Sequence, residues 1–135
     1  MKRHTVIGAS ILGTSASPYL AMASEIALRH HERWDGSGYP DGLGGEAIPV
    51  SARIMAICDV YDALRSKRPY KAPLDHAQVV QVIISGDGRT NPSHFDPAVL
   101  ATFTATTERF REIFEENRDD YGVQVSRPSK IDHMP

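Results

Sequence analysis

The sequence predicts an all-α protein, a bundle of about five helices. Three observations carry that expectation. Apolar residues recur at helical spacing in five separate stretches, Pro and Gly punctuate the intervals between them, and no stretch shows the strict apolar–polar alternation of a half-buried strand.

The elements follow in chain order. His4, Ile7, Gly8, Ile11 and Leu12 share one face of a helix over residues 1–12, which Gly13 stops. Ser17 then offers an N-cap with Pro18 at the first helical position, and Tyr19, Met22, Ala23, Ile26, Ala27 and His30 form the next apolar stripe. A glycine-rich loop with Gly36, Gly38, Pro40, Gly42, Gly44 and Gly45 follows. Pro49 opens a third helix through Ser66, with Ile54, Ile57, Cys58, Tyr61 and Leu64 as its buried stripe. Its other face, Ala52, Met55, Ala56, Asp59 and Ala63, is mostly small, so a neighbouring helix can approach closely around one carboxylate. Asp75 caps a fourth helix over Val79–Ile84 that Gly86 ends. Asp96 and Pro97 start a fifth, with Val99, Leu100, Phe103, Phe110, Ile113 and Phe114 inward. Residues 118–135 read as a polar, aperiodic tail, leaving 1–117 as the folded domain.

Composition bounds the function. A chain of 135 residues supports one core, and Lys+Arg 15 against Asp+Glu 17 leaves no basic excess for a nucleic-acid polymer or an anionic membrane. An anionic ligand therefore needs a local cluster of cations. The single cysteine, Cys58, excludes an intramolecular disulfide. Lys2 and Arg3 followed by Val6–Leu12 imitate a signal peptide, but the apolar part is short and interrupted by Gly8 and Ser10. No run approaches the ~20 apolar residues of a membrane-spanning helix, and the chain is expected to be cytoplasmic.

Four ionisable residues stand on faces expected to be buried: His4, His30, His31 and Asp59. A buried charge or imidazole is costly unless paired or bound to a metal, so the set asks for a common partner. Adjacent helical residues point about 100° apart, which makes it hard for His30 and His31 to reach one ion and suits them to two neighbouring sites, or to a helix end and its loop. Imidazoles with a carboxylate suit iron, manganese or zinc better than calcium. Each residue also has an ordinary reading: a lone histidine on an apolar stripe is more often a core residue bonded to a carbonyl, and Asp59 alone is a helix-surface acid. His76 and His94 read as capping or surface residues. Arg65, Lys67, Arg68 and Lys71 read as a solvated basic face, unless Pro69 turns Arg68 and Lys71 back toward the carboxylate as a phosphate clamp. Tyr39 in the glycine loop can add a hydroxyl or a stacking ring.

Three stretches carry a resemblance. HHERWDGSGYPDGLGGEAIP at 30–49, ARIMAICDVYDALRSKRPYK at 52–71 and HFDPAVLATF at 94–103 resemble the HD-GYP family, bacterial metal-dependent phosphodiesterases that hydrolyse cyclic di-GMP, over roughly residues 1–114. The resemblance implies an all-helical HD-type bundle in which His4, His30, His31 and Asp59 ligate two or three divalent ions, commonly iron or manganese. It implies that Tyr39, Arg68 and Lys71 contact the phosphates of a cyclic dinucleotide, and that the product is the linear dinucleotide or GMP.

One part of the family pattern is missing. Its histidine–aspartate doublet normally precedes the matching segment, and no His-Asp dipeptide occurs in this sequence. The chain is therefore expected to be the C-terminal part of such a domain, inactive or impaired as a catalyst by itself. The alternative is a non-catalytic signalling module that binds a partner such as a diguanylate cyclase or a receiver domain. In either case the apolar faces of the first three helices need cover, which predicts a homodimer.

Overall fold

A computed structural model describes residues 3–12 and 17–123, with the side chains of Leu12 and residues 119–123 left undescribed. The Gly13 stop and residues 124–135 of the expected tail lie outside the described residues. Among the described residues six helices form: α1 Arg3–Leu12, α2 Pro18–Arg29, α3 Val50–Arg65, α4 His76–Ser85, α5 Pro97–Ala105 and α6 Thr107–Val123. Short 3-10 turns at Gly45–Ala47 and Pro92–His94 punctuate the loops. Among the described residues there is no strand, and no helix is long and apolar enough to cross a membrane.

The helix starts follow their capping chemistry. Ser17 and Pro18 take the N-cap and first helical positions of α2. Asp75 closes a capping box with Gln78 at the head of α4. Gly86, at φ 87, ends α4 in a conformation that glycine adopts without strain. Asp96 starts α5 by accepting from the Ala98 N–H at 2.8 Å.

The expected fifth helix is two helices, parted at Thr106. The local sequence TFTATTERF explains the break: β-branched residues are poor helix formers, and Thr102 and Thr104 bend the backbone by donating to the Ala98 and Leu100 carbonyls at 3.0 and 2.8 Å. The chain divides there into two compact units, residues 1–105 and 106–135. In the second unit α6 continues through residues 118–123, beyond where the tail was expected to begin, and carries ion pairs of Arg111 with Glu108 and Glu115 and of Arg109 with Glu112.

In the first unit α1 packs on α2, α2 on α3, and α3 on α4 and α5. The apolar core is Ile48, Ala52, Ile57, Tyr61, Val79, Ile83, Phe95 and Phe103, so it lies around α3, α4 and α5. Among the described side chains neither α1 nor α2 adds a buried hydrophobic residue; they meet through Gly8 against Ala27 and a bond from the Ser24 hydroxyl to the Ala9 carbonyl. Their expected stripe residues Ile7, Ile11, Tyr19 and Met22 are exposed, as are Val50, Ile54 and Met55 of α3. The buried stripe of α3 is instead Ala52, Ile57, Tyr61 and Arg65, rotated from the expected one that began at Ile54. Arg65 is thus no part of a solvated basic face: its guanidinium donates to the Tyr61 hydroxyl at 3.0 Å and stands over the Tyr61 ring.

Candidate metal centre

The corner between α2 and α3 begins where α2 runs out of helical bonds. His30 is the C-cap, its N–H donating to the Ile26 carbonyl, and His31 lies in the following turn. His4 comes from the first turn of α1. One ligand atom from each of His4, His30 and His31 lies within 4.8 Å of the others. Two nitrogens bound to one ion at about 2.1 Å each can be at most about 4.2 Å apart, so only a small closure separates this arrangement from a shared ion.

The pair therefore converges, against the expectation from helical geometry, because the helix has ended and the backbone has begun to turn. The His30 and His31 ring centroids are 4.0 Å apart, and His4 stands 5.0 Å from His31. His30 Nδ1 is 2.7 Å from the Ile26 carbonyl oxygen. That contact needs a proton on Nδ1 and leaves Nε2 with its lone pair, the form a metal takes. Burial, ahead of the charges of His30, His4 and Arg33, lowers the pKa of His31 below its ordinary value, while Asp59 opposes the shift.

Burial itself differs from the expectation. His4 and Asp59 are exposed and His30 and His31 only half-buried. The apolar faces that were to enclose them, on α1, α2 and the outer side of α3, carry no cover among the described residues. Asp59 stands outside the three-histidine group but lines one pocket with His30 and His31, together with Glu32, Arg33, Ala56, Val60, Thr90, His94 and Phe95.

Tyr39 meets the cluster: its ring stacks on His31 at 5.0 Å and 20°. The loop that brings it there is held by a residue that sequence reasoning passed over. Glu32 is buried, and its carboxylate accepts the backbone N–H groups of Asp41 at 2.8 Å, Gly42 at 3.0 Å and Leu43. Tyr39 N–H donates to the His31 carbonyl at 3.2 Å, and the Tyr39–Pro40 bond is cis. Gly38 must be glycine, since a Cβ there would sit 2.3 Å from the His31 carbonyl oxygen and 2.5 Å from the Arg33 nitrogen. An acid followed by a run of glycines, whose N–H groups no side chain shields, was the available signal for Glu32.

A second brace ties the loop to α3 and α5. Arg53 donates to the Ile48 carbonyl at 2.8 Å and to Asp96 at 2.6 Å, and lies 5.7 Å from the Trp34 ring centroid. Trp34 N–H donates to the His94 carbonyl at 2.8 Å, and Asp35 accepts from the Ser93 hydroxyl at 3.0 Å. His94 is the capping residue it was expected to be, its Nδ1 accepting from the Asn91 N–H at 3.2 Å, yet it also lines the pocket. His76, at the start of α4, has its Nδ1 2.9 Å from the Tyr61 hydroxyl.

Arg68 and Lys71 are placed differently. The helix ends at Arg65, before Pro69, and the next residues form an exposed turn in which Lys71 N–H meets the Arg68 carbonyl at 3.3 Å. Neither residue lines the pocket of His30, His31 and Asp59.

Comparison with known proteins agrees with this architecture. Residues 1–99 match the sequence pattern of the HD domain. A cyclic di-GMP phosphodiesterase of Vibrio cholerae is 48% identical over 124 residues, 88% of this chain and 24% of that protein. A cyclic di-GMP phosphodiesterase of Thermotoga maritima is 42% identical over 120 residues, 89% of this chain and 32% of that protein. A 3'3'-cGAMP-specific phosphodiesterase of Vibrio cholerae is 45% identical over 100 residues, 74% of this chain and 18% of that protein. The chain thus spans between 18% and 32% of the length of these relatives.

Proposed function

The chain belongs to the HD-domain family, and from that premise we propose that it is the HD-GYP-type, metal-binding part of a cytoplasmic phosphodiesterase acting on cyclic di-GMP. The observation that carries the proposal is the convergence of His4, His30 and His31 to within 4.8 Å. These three, with Asp59 across the pocket, would hold divalent metal; the donor set suits iron, manganese or zinc, and the resemblance implies iron or manganese. The bound metal supplies Lewis-acid polarisation of a phosphoryl group. The chain's own residues do the rest. The Ile26 carbonyl fixes the tautomer of His30, and Glu32 holds the loop that lays Tyr39 on His31. Arg68 and Lys71 offer cations to the outer phosphate of a dinucleotide that reaches beyond the pocket, with the linear dinucleotide or GMP as product.

A second reading, compatible with the absence of any His-Asp dipeptide from the 135 residues, is a non-catalytic signalling module that contacts a partner such as a diguanylate cyclase or a receiver domain. One experiment separates the two. Metal content by inductively coupled plasma mass spectrometry is measured on the wild type, His30→Ala and Asp59→Ala, beside cyclic di-GMP hydrolysis by the wild type. Lowered iron or manganese in both variants supports the ligand assignment, and unchanged metal in both overturns it. Cyclic di-GMP binding by the metal-loaded wild type, measured beside hydrolysis, supports the first reading with or without turnover, and metal without any such binding selects the second. The exposed apolar residues of α1, α2 and α3 further support a homodimer, which a monomeric mass by light scattering would overturn.

A further inference from the structure

Arg33 lies two residues after the histidine pair, and its side chain takes no part in bracing the loop. It lines the pocket with His30, His31, Asp59, Thr90 and His94 and is half-buried. His31 and His94 line the same pocket, so Arg33 shares it with two imidazoles. Among the described residues that guanidinium makes no hydrogen bond or ion pair. The other arginines of this region are engaged: Arg29 with Asp41, Arg53 with Asp96 and Arg65 with Tyr61. The acids nearest Arg33 in sequence are engaged too, Glu32 by three backbone N–H groups and Asp35 by Ser37 and Ser93.

A guanidinium partly withdrawn from water and left unpaired is costly, and its planar fork of donors matches the oxygens of a phosphate. Size then decides what enters. The pocket holds about 100 Å³, well short of the about 300 Å³ or more of a small-molecule site. A phosphate-sized oxyanion fits; a whole dinucleotide does not.

We propose that Arg33 is a phosphate-binding residue, its fork taking the non-bridging oxygens of a phosphodiester seated between it and His30, His31 and Asp59. This deepens the phosphodiesterase reading and rests on it, by making the phosphoryl group the part of the substrate that enters the pocket. It also separates two cationic contacts: Arg33 inside, Arg68 and Lys71 outside.

The test titrates inorganic phosphate into the wild type, Arg33→Lys and Arg33→Ala by calorimetry, each metal-free and manganese-loaded, with metal content measured in parallel. Arg33→Ala is expected to weaken phosphate binding about tenfold to a hundredfold, the range for one charged hydrogen-bonding partner, at unchanged metal content. Arg33→Lys should fall between, since it keeps the charge and loses the fork, and it decides the matter if the alanine variant does not fold. Equal affinity in wild type and variants overturns the inference, as does a wild type that binds no phosphate in either state. Metal lost from Arg33→Ala overturns it as well, by making Arg33 a support of the histidines. Cyclic di-GMP binding by the manganese-loaded wild type is scored separately: binding with unchanged phosphate affinity in the variants sinks Arg33 alone, and no cyclic di-GMP binding with the affinity difference intact sinks the phosphodiesterase reading instead.

Discussion

The corner at residues 30–48 and the turn at 68–71 both carry residues that the sequence marks as ligand-binding, yet they are built to opposite standards. The corner is fixed from several sides: three N–H groups on Glu32, a glycine packed against the backbone of residues 31–33, and Arg53 clamped between Trp34, Ile48 and Asp96. The turn rests on the backbone bond of Lys71 to Arg68, with Tyr70 99% exposed. A site that must converge several donors on one point needs the first kind of support, because an error of an ångström disperses them. A cation that meets an outer phosphate tolerates the second.

The largest way to break the contrast is Glu32→Ala. It leaves three backbone donors without their acceptor, at about 1 kcal/mol each because Asp41 and Gly42 are exposed and can turn to water, so a loss of about 3 kcal/mol is expected in urea unfolding, together with lowered metal content. A midpoint equal to the wild type would show that the loop does not depend on the carboxylate.

A smaller effect, about 2 kcal/mol, is expected for Asp96→Asn, which keeps an acceptor for the α5 cap but removes the charge facing Arg53. This one depends on pH. Burial pushes the Asp96 carboxyl up, but the hydrogen bond from Arg53 and the Ala98 N–H outweigh it, and the folded pKa lies below the ordinary value. The folded protein then holds this proton less tightly than the unfolded chain. The stabilisation is complete above the ordinary carboxylate range and disappears as pH falls through the folded value. The gap between wild type and variant should close in acid. A gap that stays constant into strong acid would place its origin elsewhere than the charge.

The smallest change in stability is expected at the turn. Arg68→Ala should leave the unfolding free energy within about 0.5 kcal/mol while weakening cyclic dinucleotide binding at unchanged metal content. Loss of metal would make Arg68 part of the corner's support and remove the contrast.

What the sequence made legible was punctuation and residue type. Asp75 with Gln78, Asp96 before Pro97 and Gly86 at the end of α4 are local devices, and each acts where its neighbours alone predict. The residue types that the structure brings together at His4, His30 and His31 were legible for the same reason. Burial was not, because it depends on what stands opposite. Ile54, Tyr19 and Met22 have the spacing of core residues, yet the core is supplied by α3, α4 and α5, so these positions remain exposed. Arg65 failed in the other direction: its position on α3 faces Tyr61, which no count of nearby cations reveals. The convergence of His30 and His31 depended on where α2 stops, to within one residue, the least certain quantity a pattern provides.

Trp34 gives the corner an optical consequence. It is the single tryptophan among the 135 residues, its backbone is bonded to His94 and Gly45, and a guanidinium lies over its ring. Indole emission from the native protein is therefore a local signal, coming from the loop between His31 and Tyr39 and from nowhere else. Ion, phosphate or acid that reaches this loop can be followed by its colour and intensity without any label, while motion of the turn at Tyr70 leaves it unchanged.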